Sequence, residues 1–211
     1  MAQVLKEEAR EKIINAAKEE FLRYGFDNAN MRRIAAKSNM TVGNLYRYFK
    51  NKEDINYQIV REVLSMIDDL LKKSTDNGIT FFDEKFNLPD NKNRLLQAID
   101  ALSIRLVEIF NAHRDEFNIL MMGSQLNNKL ILWFTSLIDY MLKENHDEKK
   151  NIYLLAKSYA ISIISGLKEL FRINYVNADE LKEMVQIYLR SFIFMLQTDV
   201  GKYSGEKNEL Y

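Results

Sequence analysis

Six basic side chains, Arg32, Arg33, Lys37, Arg47, Lys50 and Lys52, fall in a window from Asn28 to Lys52 that contains no Asp or Glu. Unopposed positive charge is what a phosphodiester backbone attracts. Amides and hydroxyls stand among these cations: Asn30, Thr41 and Asn44, with the phenols of Tyr46 and Tyr48. An amide can pair with adenine, and a guanidinium can pair with guanine or hold a phosphate. The chemistry suggested is recognition of duplex DNA, and it needs a short helix to carry the reading groups.

Bond-making chemistry finds no comparable constellation. The chain has no cysteine, which removes disulfides, thiolate metal sites and cysteine nucleophiles. Its two histidines, His113 and His146, are far apart, and neither has a Glu three residues before it, as a di-iron helical bundle requires. His113 and Glu116 stand in the reverse order, alone. Phosphate loops, nucleophile elbows and metal motifs are absent from the sequence, so we expect no catalytic residue, no metal and no cofactor.

The elements that must position the basic window are helical. Among 211 residues there are one proline and seven glycines, too few turn formers for an all-β fold. Apolar residues make up 47% and charged residues 28%, a globular balance. The formal net charge is zero, yet residues 1–55 hold 11 basic against 8 acidic side chains. The positive excess thus lies beside the candidate reader, where a local field counts most. No apolar run approaches the roughly 18 residues of a membrane span. Leu5 is followed at once by Lys6, Glu7 and Glu8, unlike a secretory leader. These features lead us to expect a soluble, cytoplasmic protein with no membrane partner.

Periodicity places a first helix from Lys6 to Tyr24, with Ala9, Ile13, Ala17, Phe21 and Tyr24 on one face and Gly25 as its stop. Asn30 can cap a second helix, Met31 to Lys37, with Ile34 and Ala35 inward. Ser38, Asn39 and Met40 make a turn, and Asn39 tolerates the left-handed conformation better than most. Thr41 can cap a third helix through Tyr48, anchored by Leu45 and Phe49 against Ile34 and Ile55. Asn51 can cap a fourth, from Lys52 to about Lys73, which ends in the breaker cluster Ser74 to Gly78. Helical stretches are expected near 90–111, 114–123, 125–145, 148–173 and 179–197, with a frayed tail from Gly201. Gly43 sits inside the third helix, where glycine disfavours helix by about 1 kcal/mol. Either close approach to a groove floor or flexibility at a helix end would account for it.

Residues 13–55 resemble the DNA-binding domain of the TetR family of bacterial transcriptional regulators. The likeness runs through Ile13-Ile14, Ala16-Ala17, Phe21, Gly25-Phe26, Met31, Ile34-Ala35, the unbroken stretch Met40 to Phe49, and Asn51-Lys52-Glu53. Asn39 departs from the glycine often found there, and Asn30 from the usual Thr or Ser. Both keep the local chemistry of turn and cap. The resemblance implies that Tyr46 and Lys52 clamp phosphates, with Thr41 adding a hydroxyl. Val42, Gly43, Asn44 and Arg47 face outward, where Val42 could touch a thymine methyl. Tyr48 stays open between backbone and base, and Asn30 and Arg32 complete the candidate DNA-binding set. Lys52 also starts a helix, whose N–H groups favour an anion.

The implied architecture is all-α, with a three-helix helix-turn-helix domain over 1–51 and a larger ligand-sensing and dimerisation helical domain over 52–211. In the family, the last two such helices of each subunit form a four-helix dimer interface. Here both are apolar nearly all round, with Leu154, Ile161, Ile164, Ile187, Leu189, Ile193 and Phe194 lying beyond the main faces. Candidate interface residues are Tyr159, Ile163, Leu167, Met184, Tyr188 and Phe192; the bland alternative is a buried monomer core. Family members hold a ligand pocket among the middle helices. Candidate lining residues are Met66, Phe110, Phe117, Met121, Trp133, Phe134, Tyr140 and Tyr159, with His113 nearby, although the same residues at helical spacing are ordinary core. The expected partners are an operator in double-stranded DNA, a second copy as homodimer, and an unidentified, largely apolar small-molecule effector. The expected activity is that of a ligand-responsive repressor on a palindromic operator. A helical interaction protein with a vestigial reader is the rival, against which the intact Thr41 to Lys52 series argues.

Overall fold

Gly25 has φ 72° and ψ 167°, and it breaks the first helix, α1 (Ala2–Asn28), at the expected stop. Only glycine enters that region without steric penalty. The computed structural model describes residues 2–76, 88–145, 152–172 and 177–197. Within them all regular structure is helical. After α1 come α2 (Met31–Lys37), α3 (Val42–Leu45), α4 (Lys52–Asp76), α5 (Leu88–Ala112), α6 (Arg114–Met122), α7 (Ser124–Asn145), α8 (Ile152–Arg172) and α9 (Ala178–Gln197).

The starts of the reader helices follow the capping chemistry. Asn30 Oδ1 accepts from the Arg32 N–H at 2.8 Å, Thr41 Oγ1 from Asn44 at 3.2 Å, and Asn51 Oδ1 from Asp54 at 2.8 Å. Each satisfies one N–H that the helix itself leaves unpaired. Asp54 returns the favour by accepting from the Lys50 N–H at 3.0 Å. Asn39 takes φ 56° in the turn, the left-handed conformation expected of it.

Two ends differ from expectation. α3 is regular only from Val42 to Leu45; beyond it the bonds Arg47 N–H to Asn44 and Tyr48 N–H to Leu45 span three residues, at 3.1 and 3.0 Å. The last turn has tightened, which is how short helices often end. α4 continues through Ser74 and Thr75 to Asp76, past the expected end near Lys73. At α5 the helix includes Pro89, tolerated in a first turn because no intrahelical N–H is needed there. The segment 77–87, with Phe81, Phe82 and Phe86, lies outside the described residues, as do His146 and the tail from Gly201.

Packing divides the chain into two compact units that are not contiguous segments. One holds Met1–Asp68 and Ile109–Leu126; the other holds Asp69–Glu108 and Asn127–Tyr211. In the first unit, α1 carries Ile13, Ala16, Ala17 and Phe21 into a core shared with Ile34, Ala35, Leu45, Phe49, Ile55 and Phe117, all buried. Tyr24 is not part of that core: it is 38% exposed, and the Arg33 guanidinium lies 4.5 Å from its ring centroid. α6 packs against α1, and the Lys18 ammonium pairs with the Glu116 carboxylate between them. In the second unit α8 and α9 pack together, with Ala156, Ala160, Ile163, Ile164 and Leu167 facing inward from α8 and Leu181, Val185, Leu189 and Ile193 from α9. The Tyr188 hydroxyl donates to the Ser162 carbonyl at 2.8 Å. Arg190 holds Asp100 of α5 through two N–H groups, one of them Nε at 2.7 Å.

Candidate nucleic-acid interface

The short α3 is held from one side and open on the other. Leu45 and Phe49 are 0% and 1% exposed, and they fix the helix to the core of the first unit. Thr41, Gly43, Tyr46 and Arg47 are exposed, while Val42, Asn44 and Tyr48 are half-buried. All seven therefore keep some access to solvent, on a segment whose anchors are wholly inside. A Cβ added at Gly43 would meet nothing within 4 Å. No packing among the described residues demands a glycine there. Asn30 and Arg32 are exposed at the start of α2.

The six cations of the acid-free window are not equivalent. Arg33 pairs with Glu20, which is 0% exposed, through Nε at 2.6 Å and Nη2 at 2.5 Å. Its hydrogen bond to Glu20 tightens its hold on the proton, raising its pKa against the effect of desolvation. Lys37 pairs with Glu19 at 3.2 Å. Lys52 donates to the carbonyls of Phe26 and Asp27 at 2.6 and 3.1 Å, and lies 4.5 Å from the Phe26 ring centroid. The acids and carbonyls come from α1, outside the window, so a count within the window overstates the unopposed charge. Glu20 stands one turn from Ala16 on the buried face of α1, so its position in the core was readable from spacing. Its partner was not.

The other candidates fall as follows. Phe110, Phe117 and Met121 are buried in the first unit, with the two rings edge-to-face at 5.5 Å between centroids. Met66 and His113 are half-buried there, and His113 begins α6 without a side-chain cap bond. In the second unit Phe134 is buried, Trp133 meets it edge-on at 4.9 Å, and Tyr159 is half-buried. The Tyr140 side chain lies outside the described residues. Of the interface candidates, Ile163 and Leu167 are 3% and 1% exposed and belong to the chain's own core. Tyr159, Met184, Tyr188 and Phe192 are half-buried, whereas Leu154, Leu155, Ile161, Ile187 and Phe194 are exposed. On a helix apolar on several sides, periodicity does not say which side the chain covers itself.

A polar groove of about 360 Å³ lies along α1 and α4, lined by Glu7, Arg10, Glu11, Ile14, Asn15, Gln58 and Arg61, none of them nominated from sequence. Among the described residues no His, Cys, Asp or Glu cluster could hold a metal, and no helix is long and apolar enough to cross a membrane.

The profile of bacterial regulatory proteins of the tetR family matches residues 13–56, the stretch that builds this face. Over this segment the chain is similar to the tetR family. The chain is also similar to a curated protein, an uncharacterized HTH-type transcriptional regulator of Haemophilus influenzae, at 32% identity over 79 residues. That match covers 37% of this chain and 42% of the relative, so the chain spans less than half of it. Over most of its length the chain is similar in fold to a solved TetR-like transcriptional regulator from Rhodococcus sp. RHA1, with TM-score 0.52 at 17% identity, covering 88% of this chain and 96% of that one. The helix-turn-helix and the larger helical part are thus those of a TetR-like all-α fold.

Proposed function

We propose that this chain is a transcriptional regulator that binds a palindromic operator as a homodimer and releases it when a small, largely apolar effector binds. One observation supports the DNA-binding part above all: within the segment that matches the tetR family, residues 41–44 and 46–48 keep solvent access while Leu45 and Phe49 between and beside them are buried. In this reading Asn44 and Arg47 meet base edges and Val42 a thymine methyl. Gly43 lets the backbone approach, and Thr41, Tyr46 and Lys52 hold phosphates. Asn30, Arg32 and Tyr48 flank them.

A single helix of this length reads few base pairs, so two copies reading two half-sites would supply the specificity. The exposed Leu154, Leu155, Ile161, Ile187 and Phe194 on α8 and α9 support pairing of those helices with a second copy. Effector control would be a population shift between a DNA-competent arrangement and another. α4 starts at Lys52 beside the reader and runs unbroken to Asp76, which suits it to carry the change.

Selection of bound duplexes from a random pool, repeated with candidate effectors, tests the whole reading. The expected product is a two-fold symmetric site whose recovery falls with effector. A pool that stays random would sink sequence-specific regulation.

A further inference from the structure

Glu20 is the one charged side chain among the described residues that is fully inside the core. A buried carboxylate is tolerated only when it is paired and hydrogen-bonded. Its Oε1 accepts from the Asn30 backbone N–H at 3.1 Å and from Arg33 Nε at 2.6 Å, while Oε2 has no partner among the described residues. Asn30 is the N-cap of α2, and Arg33 is its third helical residue. In a capping box that third residue is a Glu or Gln, which accepts from the cap's backbone N–H. Arginine cannot accept. Here the missing acceptor is supplied from α1, and the arginine that displaced it is bound to that same acceptor. Arg33 Nη2 also donates to the Asn28 carbonyl at 2.7 Å, and the guanidinium covers the Tyr24 ring. Every described contact of Arg33 therefore points back to α1 and the corner leading into α2.

We propose that Glu20 and Arg33 are positioning residues for DNA reading: they fix the start of α2 on α1, set where Asn30 and Arg32 are presented, and withdraw Arg33 from the phosphates. The proposal rests on the DNA-binding function inferred above. It assigns one of the window's six cations an internal role, and it makes a buried acid part of the reading apparatus.

The test measures affinity of the full chain for a random duplex and for a selected site across a salt series, at a temperature where circular dichroism shows each variant folded. Arg33→Ala, Arg33→Lys and Glu20→Gln should each weaken binding about tenfold, the worth of one charge-assisted hydrogen bond. The slope of log affinity against log salt should stay that of the wild type. Glu20→Gln combined with Arg33→Lys should lose no more than the worse single variant, because both break one clasp. A slope reduced by about 0.9 in Arg33→Ala would make Arg33 a phosphate contact and overturn the proposal. Variants that melt earlier but bind like the wild type would also overturn it, since a merely structural pair leaves folded-state affinity alone. Glu20→Gln keeps the volume and an acceptor, so it provides a folded variant if Arg33→Ala does not. Wild-type protein that binds no duplex would overturn the functional reading and this one together; normal wild-type binding with either outcome above overturns this one alone.

Discussion

The Tyr188 hydroxyl occupies the space that a side chain at Gly166 would need. A Cβ built on Gly166 would stand 2.0 Å from that oxygen and 2.3 Å from the ring carbon bearing it. α8 and α9 are thus joined by a phenol lying on bare backbone, held by its bond to Ser162. Burial raises the Tyr188 pKa, opposed by a hydrogen bond with the Gly166 backbone, so the phenol stays neutral at physiological pH. Gly166→Ala should force the ring aside and destabilise the protein by about 1–3 kcal/mol. Combining it with Tyr188→Leu should cost less than the sum of the two changes, as urea denaturation would measure. Strict additivity would mean that the two residues do not share this space.

The Lys18–Glu116 pair gives the packing of α6 on α1 a pH dependence. Partial burial raises the Glu116 pKa, but hydrogen bonds from Lys18 and from its own backbone, with the charge of Lys18, outweigh this and leave it lowered. A carboxylate with a lowered folded pKa stabilises the fold above the ordinary glutamate range. That contribution is lost as pH falls through the folded value. Glu116→Gln should therefore melt earlier than wild type at pH 7, and the gap should close below about pH 4. A melting-temperature difference that stays constant down to pH 3 would contradict the assignment.

Gly43→Ala separates fold from function. The added methyl meets nothing among the described residues. Stability should be unchanged or rise by up to about 1 kcal/mol. Operator affinity should fall, because the methyl lies where the backbone would approach the groove. Equal or better operator binding by a folded Gly43→Ala protein would reduce Gly43 to a matter of helix-end flexibility.

Lys52 serves two neighbours. Two of its ammonium protons go to the carbonyls of Phe26 and Asp27, and one remains. Lys52→Ala should lower the melting temperature by releasing the end of α1. It should also reduce the salt slope of DNA binding by about 0.9 if the third proton meets a phosphate. A lower melting temperature with an unchanged slope would leave Lys52 the structural task alone.

Ile187 and Phe194 are 57% and 64% exposed on α9. Replacing either with Asp removes little from the chain's own core. The expected outcome is a folded monomer by light scattering, with operator affinity reduced more than affinity for random duplex. A mass equal to that of the wild type in both variants would move the dimer surface elsewhere.

The helix-turn-helix was legible because its determinants are local. Asn30, Thr41 and Asn51 cap helices through bonds that span two or three residues, and Asn39 turns the chain by its own backbone preference. Sequence spacing alone specifies such bonds. The partners of Arg33, Lys37 and Lys52 were not legible, because they sit 13, 18 and 25 or 26 residues away. Tyr24 followed the helical stripe yet lies outside the core, since Gly25 ends the helix just beyond it. In α8, Ile163 and Leu167 were placed at the interface, though helical spacing also allows a core position. Only the packing of α9 decides, and their periodicity carries no information about it.

The first compact unit is completed late. Its early part ends at Asp68, and its remaining part, Ile109–Leu126, lies beyond an intervening stretch assigned to the second unit. During synthesis α1 emerges first, but α6, the helix that covers it, follows only after many more residues have left the ribosome, a delay on the order of seconds. Until then the α6-facing side of α1, including Lys18, has no Glu116 to meet. A nascent chain long enough to contain every candidate DNA-contacting residue thus still lacks part of the unit that supports them. Premature termination between residues 76 and 109 would yield a reader without that support, and grafting the reader onto another protein would require α6 to travel with it.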